Sequence, residues 1–415
     1  MGLNGRERTG SFLEGEYVMA LSNDPQARVA RLLDKMPLLD GHNDLALVIR
    51  RHPEAQGDIG RFGLDRETGY GDTDIPRLRA GRVSAQVFAA FVPSESQSPT
   101  IETMEQLDVI MRMQDAFPDV FHPILQSSDI RAAKEAGRIG SMLAIEGGVG
   151  LADSLAPLRV WYAAGVRLMT LCHNGSLPWV DSATDSSISG GLSAFGEAVI
   201  REMNRLGMIV DCAHVADDAI RCVLDISAAP IVASHNNVRT MCSHQRNLPD
   251  DIIDRIAQGG GIVMATFIPK FISNDVRTWI DVVRKHVGAG TTLPHDWAEQ
   301  VRNYERQFGK GPTATLSQVA DHIDYIADRV GRDHVGIGSD FWGGPDTPDG
   351  LNDASCFPAL LEELARRNWS DTELEGVAAA NFIRVFAAVE EKSRELRGVR
   401  ATELAFSSLG SSALS

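Results

Sequence analysis

The chain has 415 residues, of which 43% are hydrophobic and 23% charged, an ordinary make-up for a soluble globular protein. Its 40 basic and 56 acidic residues give a formal charge of −16, with no basic tract, which argues against nucleic acid as a partner because phosphate binding relies on Lys and Arg. No apolar stretch approaches a membrane span, and the five cysteines form no CxxC pair, so a reduced cytoplasmic chain without a membrane partner is expected.

Residues 1–25 are polar and Gly-rich and read as a flexible arm; residues 26–398 read as one domain and 399–415 as a tail. Short apolar runs place strands near 37–44, 84–91, 141–146, 166–172, 208–213, 230–235, 261–267 and 335–340. Helices are expected at 25–35, 102–116, 153–164, 193–206, 215–225, 250–258, 316–330 and 357–368. A last one, at 371–388, starts at the capping box Ser370-Asp371-Thr372-Glu373. Eight strands alternating with helices, without hairpin turns, predict an α/β chain folded as a (β/α)8 TIM-type barrel. A doubly wound sheet is the alternative, but its Gly-rich phosphate turn is replaced here by His42-Asn43-Asp44. Insertions near 50–80 and 268–315 would lie on the C-terminal face of the barrel. The second carries Trp279, Trp297, Tyr304 and Phe308, enough to form a lid or a subunit contact.

Many of these runs stop at an ionisable residue: His42 and Asp44 after the first, then Glu146, His173, His214, His235 and Asp340. Ionisable groups at the same end of parallel strands converge in space. Singly each is ambiguous. His-x-Asp recurs by chance, a buried Glu is often paired with Arg, and a lone core His is often simply hydrogen-bonded. Together they predict a metal site at the C-terminal ends of the strands.

His42, Asp44 and Glu146 can hold one cation, and Glu146, His214 and His235 a second, with an open position left for water. Zinc suits this mixed nitrogen and oxygen set, with manganese or cobalt as substitutes. A hydroxide bridging two cations is a strong nucleophile near neutral pH. His173 then stands free to stabilise an oxyanion, or keeps a fixed hydrogen bond beside Asn174. Asp340 can move a proton or act as a further ligand. Arg246 can bind a substrate carboxylate or make a surface ion pair. Asp40, deeper in the first strand, reads as a supporting group, and His244 as unremarkable.

The segments Asp-Gly-His-Asn-Asp at 40–44, Ile-Glu-Gly-Gly at 145–148, Thr-Leu-Cys-His at 170–173 and Asn-Arg-Leu-Gly at 204–207 follow one another in order. After them come Asp-Cys-Ala-His at 211–214, Ser-His-Asn at 234–236 and Gln-Arg-Asn-Leu-Pro-Asp-Asp at 245–251. The set ends with Gln-Val-Ala-Asp-His at 318–322 and Gly-Ser-Asp-Phe at 338–341. With these motifs the chain resembles the membrane (renal) dipeptidase family of binuclear zinc dipeptidases. The resemblance implies a (β/α)8 barrel that hydrolyses dipeptides, L-Xaa-L-Xaa or L-Xaa-D-Xaa, by attack of a metal-bridging hydroxide. It implies two Zn2+ per chain, held by His42, Asp44, bridging Glu146, His214 and His235. It further implies His173 as the intermediate-stabilising and substrate-binding residue, Asp340 as the proton shuttle, Arg246 as the carboxylate anchor, and a homodimer. Trp342 departs from the pattern, standing where members often carry a second Asp, so the pocket wall is expected to differ.

Two other readings remain. An amidohydrolase acting on a lactam, cyclic amide or N-acyl amino acid is disfavoured, because many of these use His-x-His and a bridging lysine. A non-catalytic scaffold on a decayed barrel is disfavoured by the complete ligand set.

Overall fold

A computed structural model describes residues 24–69, 71–287, 294–344 and 346–398; for 294–298 only the backbone is described. The expected tail and nearly all of the expected arm lie outside these residues. Asp24 and Pro25, assigned to the arm, instead open the first helix, Pro25–Lys35, with the Asp24 carboxylate accepting from the Ala27 N–H.

The strands are β1 (Leu39–Asn43), β2 (Ala85–Phe91), β3 (Phe121–Pro123), β4 (Ile139–Glu146), β5 (Val166–Thr170), β6 (Ile209–Asp211), β7 (Val232–Ala233), β8 (Ile262–Ala265) and β9 (Val335–Ile337). They pair in parallel in the order β1-β2-β4-β5-β6-β7-β8-β9, with β3 beside the first half of β4. Closure is made just past the strands by a parallel bridge between Asn43 and Phe341. The Asp44 N–H donates to the Phe341 carbonyl at 3.0 Å and the Asp340 N–H to the His42 carbonyl at 3.3 Å. The eight expected strands are all present in this (β/α)8 barrel.

Alternation along each strand sorts side chains between two cores. Val87, Met142, Ile209, Val232 and Ile262 fill the barrel. Their neighbours Phe88, Leu143, Val210, Ala233 and Val263 pack under the surrounding helices. Helix Asn381–Leu396 adds Phe382, Val385, Phe386 and Val389 to the inner core. Asn381 Nδ2 donates to the Val335 carbonyl at the start of β9, and Arg384 to Gly260 just before β8, so this helix plugs the N-terminal end. The opposite end is left for the strand-end residues.

Both insertions lie on that face. The first, after β1, contains helices Leu45–Arg51, Ile59–Phe62 and Ile75–Ala80. The second contains helices Pro269–Ile272, Asn274–Val287 and Pro294–Phe308. Its Tyr304 meets Trp279 and His286 edge to face and Phe308 in a tilted contact with centroids 4.6 Å apart; the side chain of Trp297 lies outside the described residues.

Candidate metal centre

Glu146 is the last residue of β4, where an unbroken buried strand delivers its carboxylate to the C-terminal face. Four imidazoles surround it. The Nε2 atoms of His214, His42, His235 and His173 lie 3.0, 3.6, 3.6 and 4.0 Å from Glu146 Oε1. Two more carboxylates approach from the closing seam: His42 Nε2 is 3.8 Å from Asp44 Oδ2 and 4.0 Å from Asp340 Oδ1. The groups able to share an ion are His42 with Glu146 and His235, Glu146 with His173 and His214, and His42 with Asp44 and Asp340. All seven expected strand-end residues therefore meet in one place. Their grouping differs from the spacing-based one: the His235 ring is nearer His42, at 4.0 Å between centroids, than His214, at 5.0 Å.

The backbone reaches this arrangement by leaving the strand. Asp44 is not in β1 but stands at the N-terminal edge of the next helix, its side chain making no cap hydrogen bond, so it meets His42 through a turn rather than through strand alternation. His214 and Asp340 adopt left-handed φ values of 67° and 63°, which cost a non-glycine residue energy and cluster where function demands them. Gly343 is pressed against Asp340: a Cβ there would come within 1.9 Å of Oδ1.

Supporting hydrogen bonds fix the rings. Asp211 accepts from Thr170 Oγ1, the Ala213 N–H, and both the N–H and hydroxyl of Ser234. Ser234 Oγ in turn lies 2.8 Å from His235 Nδ1, which leaves Nε2 facing the centre. His214 Nδ1 is 3.2 Å from Asn174 Oδ1. Asp211 and Ser234 were given no role in the sequence reading; the available signal was two polar residues inside apolar strand-end runs. Asp40 has the supporting place expected, accepting from Ser339 and Gln86.

Electrostatically the cluster calls for cations. Burial, reinforced by Asp44, raises the pKa of Glu146, and burial with Asp44 and Glu146 raises that of Asp340 well above its ordinary value. Burial lowers His173, His214 and His235 well below theirs, keeping them in the neutral form that ligates metals. Burial also pulls His42 down, but Glu146 and Asp44 outweigh it. His42 Nδ1 and Nε2, His235 Nε2 and Asp44 Oδ1 are buried without hydrogen-bond partners, a costly state that a divalent ion would relieve.

Arg246, in the loop after β7, is 3% exposed, and Nε, Nη1 and Nη2 all lack partners. It is therefore no surface ion pair. Trp342 packs against the first insertion, where a Cβ on Gly71 would fall 1.8 Å from its ring, and its N–H donates to Asp72 Oδ2 at 2.9 Å.

A parallel barrel that gathers imidazoles around a glutamate at its C-terminal face defines a metal-dependent hydrolase. The model of the membrane dipeptidase family, Peptidase family M19, matches residues 26–399, and the chain belongs to that family. It is 34% identical over 395 residues to Dipeptidase 3 of Rattus norvegicus, covering 92% of this chain and 72% of that one. For Dipeptidase 3 of Homo sapiens the identity is 34% over 392 residues, covering 92% and 71%. Among solved structures, the probable dipeptidase PvdM from Pseudomonas aeruginosa superposes with a TM-score of 0.76 at 24% identity, covering 89% of this chain and 99% of that one. A metallo peptidase from Rhodobacter sphaeroides, liganded with a phosphinate mimic of the dipeptide L-Ala-D-Ala, gives 0.70 at 21% identity, covering 86% and 99%.

Proposed function

We propose that this metallodipeptidase holds two Zn2+ ions through His42, Asp44, Glu146, His214 and His235 and cleaves L-Xaa-Xaa dipeptides with either configuration at the second residue. The observation that carries this reading is the convergence of four imidazoles on Glu146 beside a buried, unpartnered Arg246. When bound, the cations polarise a carbonyl and acidify water. Arg246 pairs with the dipeptide's terminal carboxylate, which fixes the scissile bond over the site. His173, neutral through burial, donates a hydrogen bond to the developing oxyanion without bringing a charge. Asp340 accepts the proton of the attacking water and delivers it to the leaving amine. The dipeptide mimic bound by the Rhodobacter sphaeroides relative supports the acceptance of a D residue. Five free cysteines support a reducing, cytoplasmic setting, and the family resemblance supports a homodimer.

The test is Asp340→Asn. It should lower kcat by about 10²–10⁴-fold while metal content stays at the wild-type value. Loss of metal in this variant would make Asp340 a ligand and overturn its assigned role.

A further inference from the structure

Arg246 is not the only cation near the metal centre: Lys270 as well as Arg246 acts on His173. Arg246 and Lys270 flank the same aromatic ring, the guanidinium 5.3 Å and the ammonium 4.9 Å from the centroid of Phe271. Among the described residues the three guanidinium nitrogens of Arg246 have no hydrogen-bond partner. The third basic group there, His244, is 4.6 Å from Phe271 and accepts the backbone N–H of Arg246 on Nδ1. Burial and the neighbouring Lys270 and Arg246 hold it at about 3, so it is neutral. Burial, Arg284 and Arg246 lower Lys270 to about 8, which leaves it charged at neutral pH.

The backbone segments that carry the two cations are tied to each other. Lys270 lies on the short helix Pro269–Ile272 after β8 and Arg246 on the loop after β7. Cys242 Sγ donates to the Lys270 carbonyl, and Asn247 Nδ2 donates to the carbonyls of both Cys242 and Phe271. His322 Nε2 lies 3.0 Å from the Ile272 carbonyl. The Arg246 charge disfavours the charge on Lys270, and an anionic ligand with two negative groups offsets that cost.

We propose that Lys270 is a specificity residue for a second anionic group, the side-chain carboxylate of a dipeptide ending in Asp or Glu, bound beside the α-carboxylate that Arg246 holds. This rests on the dipeptidase reading. The wild-type enzyme should then favour Ala-Glu over its uncharged match Ala-Gln, and Ala-Asp over Ala-Asn, in one or both configurations of the second residue.

The experiment compares kcat/KM for these pairs and for Ala-Ala in wild type, Lys270→Met and Lys270→Arg. Lys270→Met should lower kcat/KM for Ala-Glu or Ala-Asp about tenfold or more, through KM. Turnover of Ala-Gln, Ala-Asn and Ala-Ala should stay within about twofold, and Lys270→Arg should retain the preference. Equal loss on all substrates would assign Lys270 to the α-carboxylate or to structure and overturn the proposal, as would a wild type indifferent to the second carboxylate. Turnover of neutral dipeptides in that last case leaves the dipeptidase reading intact; no turnover of any dipeptide ends both. Should Lys270→Met misfold, Lys270→Glu, read as a shift of preference from Ala-Glu toward Ala-Lys, decides the matter.

Discussion

Ser339 clasps Asp40 with two hydrogen bonds, its N–H to Oδ1 and its hydroxyl to Oδ2, both 2.6 Å long. The first and last barrel strands are thereby fixed to each other one residue before Asp340 and two before His42. Asp40→Ala should cost about 3 kcal/mol, since it strips a buried charged acceptor from donors that have no water to turn to. Denaturant unfolding measures this, and a change under about 0.5 kcal/mol would remove the clasp from the account.

Ser234 relays Asp211 to His235. Ser234→Ala should weaken metal binding about 10–100-fold, as loss of a partner that orients a ligating imidazole does, with the fold retained. Ser234→Thr, which keeps the hydroxyl, should restore most of the affinity. Competition against a chelator reads both; unchanged affinity in Ser234→Ala would mean that packing alone orients the ring.

Arg246→Ala should raise KM for dipeptides by about tenfold or more, because a buried, charge-assisted pair is lost. Substrates amidated at the C-terminus should respond little. A similar loss on the amidated series would contradict the anchor.

The barrel was legible because its strands lie in short, largely apolar runs, and seven of the strand-end residues announce themselves by ending such runs. Strand ends were less legible. β6, β7 and β9 stop two or three residues before His214, His235 and Asp340 because the chain turns out of the ladder while its residues stay buried: Cys212, Ala213 and Ser234 are fully covered. Hydrophobicity reports burial and not pairing. β3 was missed since three residues ending in Pro123 carry no periodic signal. The expected 371–388 helix runs to Leu396 through a π-helical turn at Gly376–Ala380, a local winding that no residue pattern marked. The proximity of Arg246 and Lys270 to one ring was invisible because it joins the loop after β7 to the helix Pro269–Ile272, which meet only in the fold.

Asp72 ties Trp342 to the first insertion, and burial raises its pKa from 3.8 to about 7 against the opposing hydrogen bonds from the Trp342 N–H and Thr73. The unfolded chain ionises first, so the folded state binds more protons between these values and stability falls as pH rises. Asp72's contribution is complete below about 4 and lost by about 7. Asp72→Asn should flatten that decline in unfolding midpoints measured across this window. An unchanged slope would assign the decline to other groups.

Dipeptide cleavage is proposed to depend on the metal centre formed by His42, Asp44, Glu146, His214 and His235. Elemental analysis of the purified protein, paired with Ala-Ala turnover before and after chelation, tests it most directly. About two equivalents of zinc per chain, activity abolished by chelation and restored by zinc, and metal lost in Glu146→Gln are the results expected. Turnover that persists in a metal-free protein, or full metal content in Glu146→Gln, would contradict it.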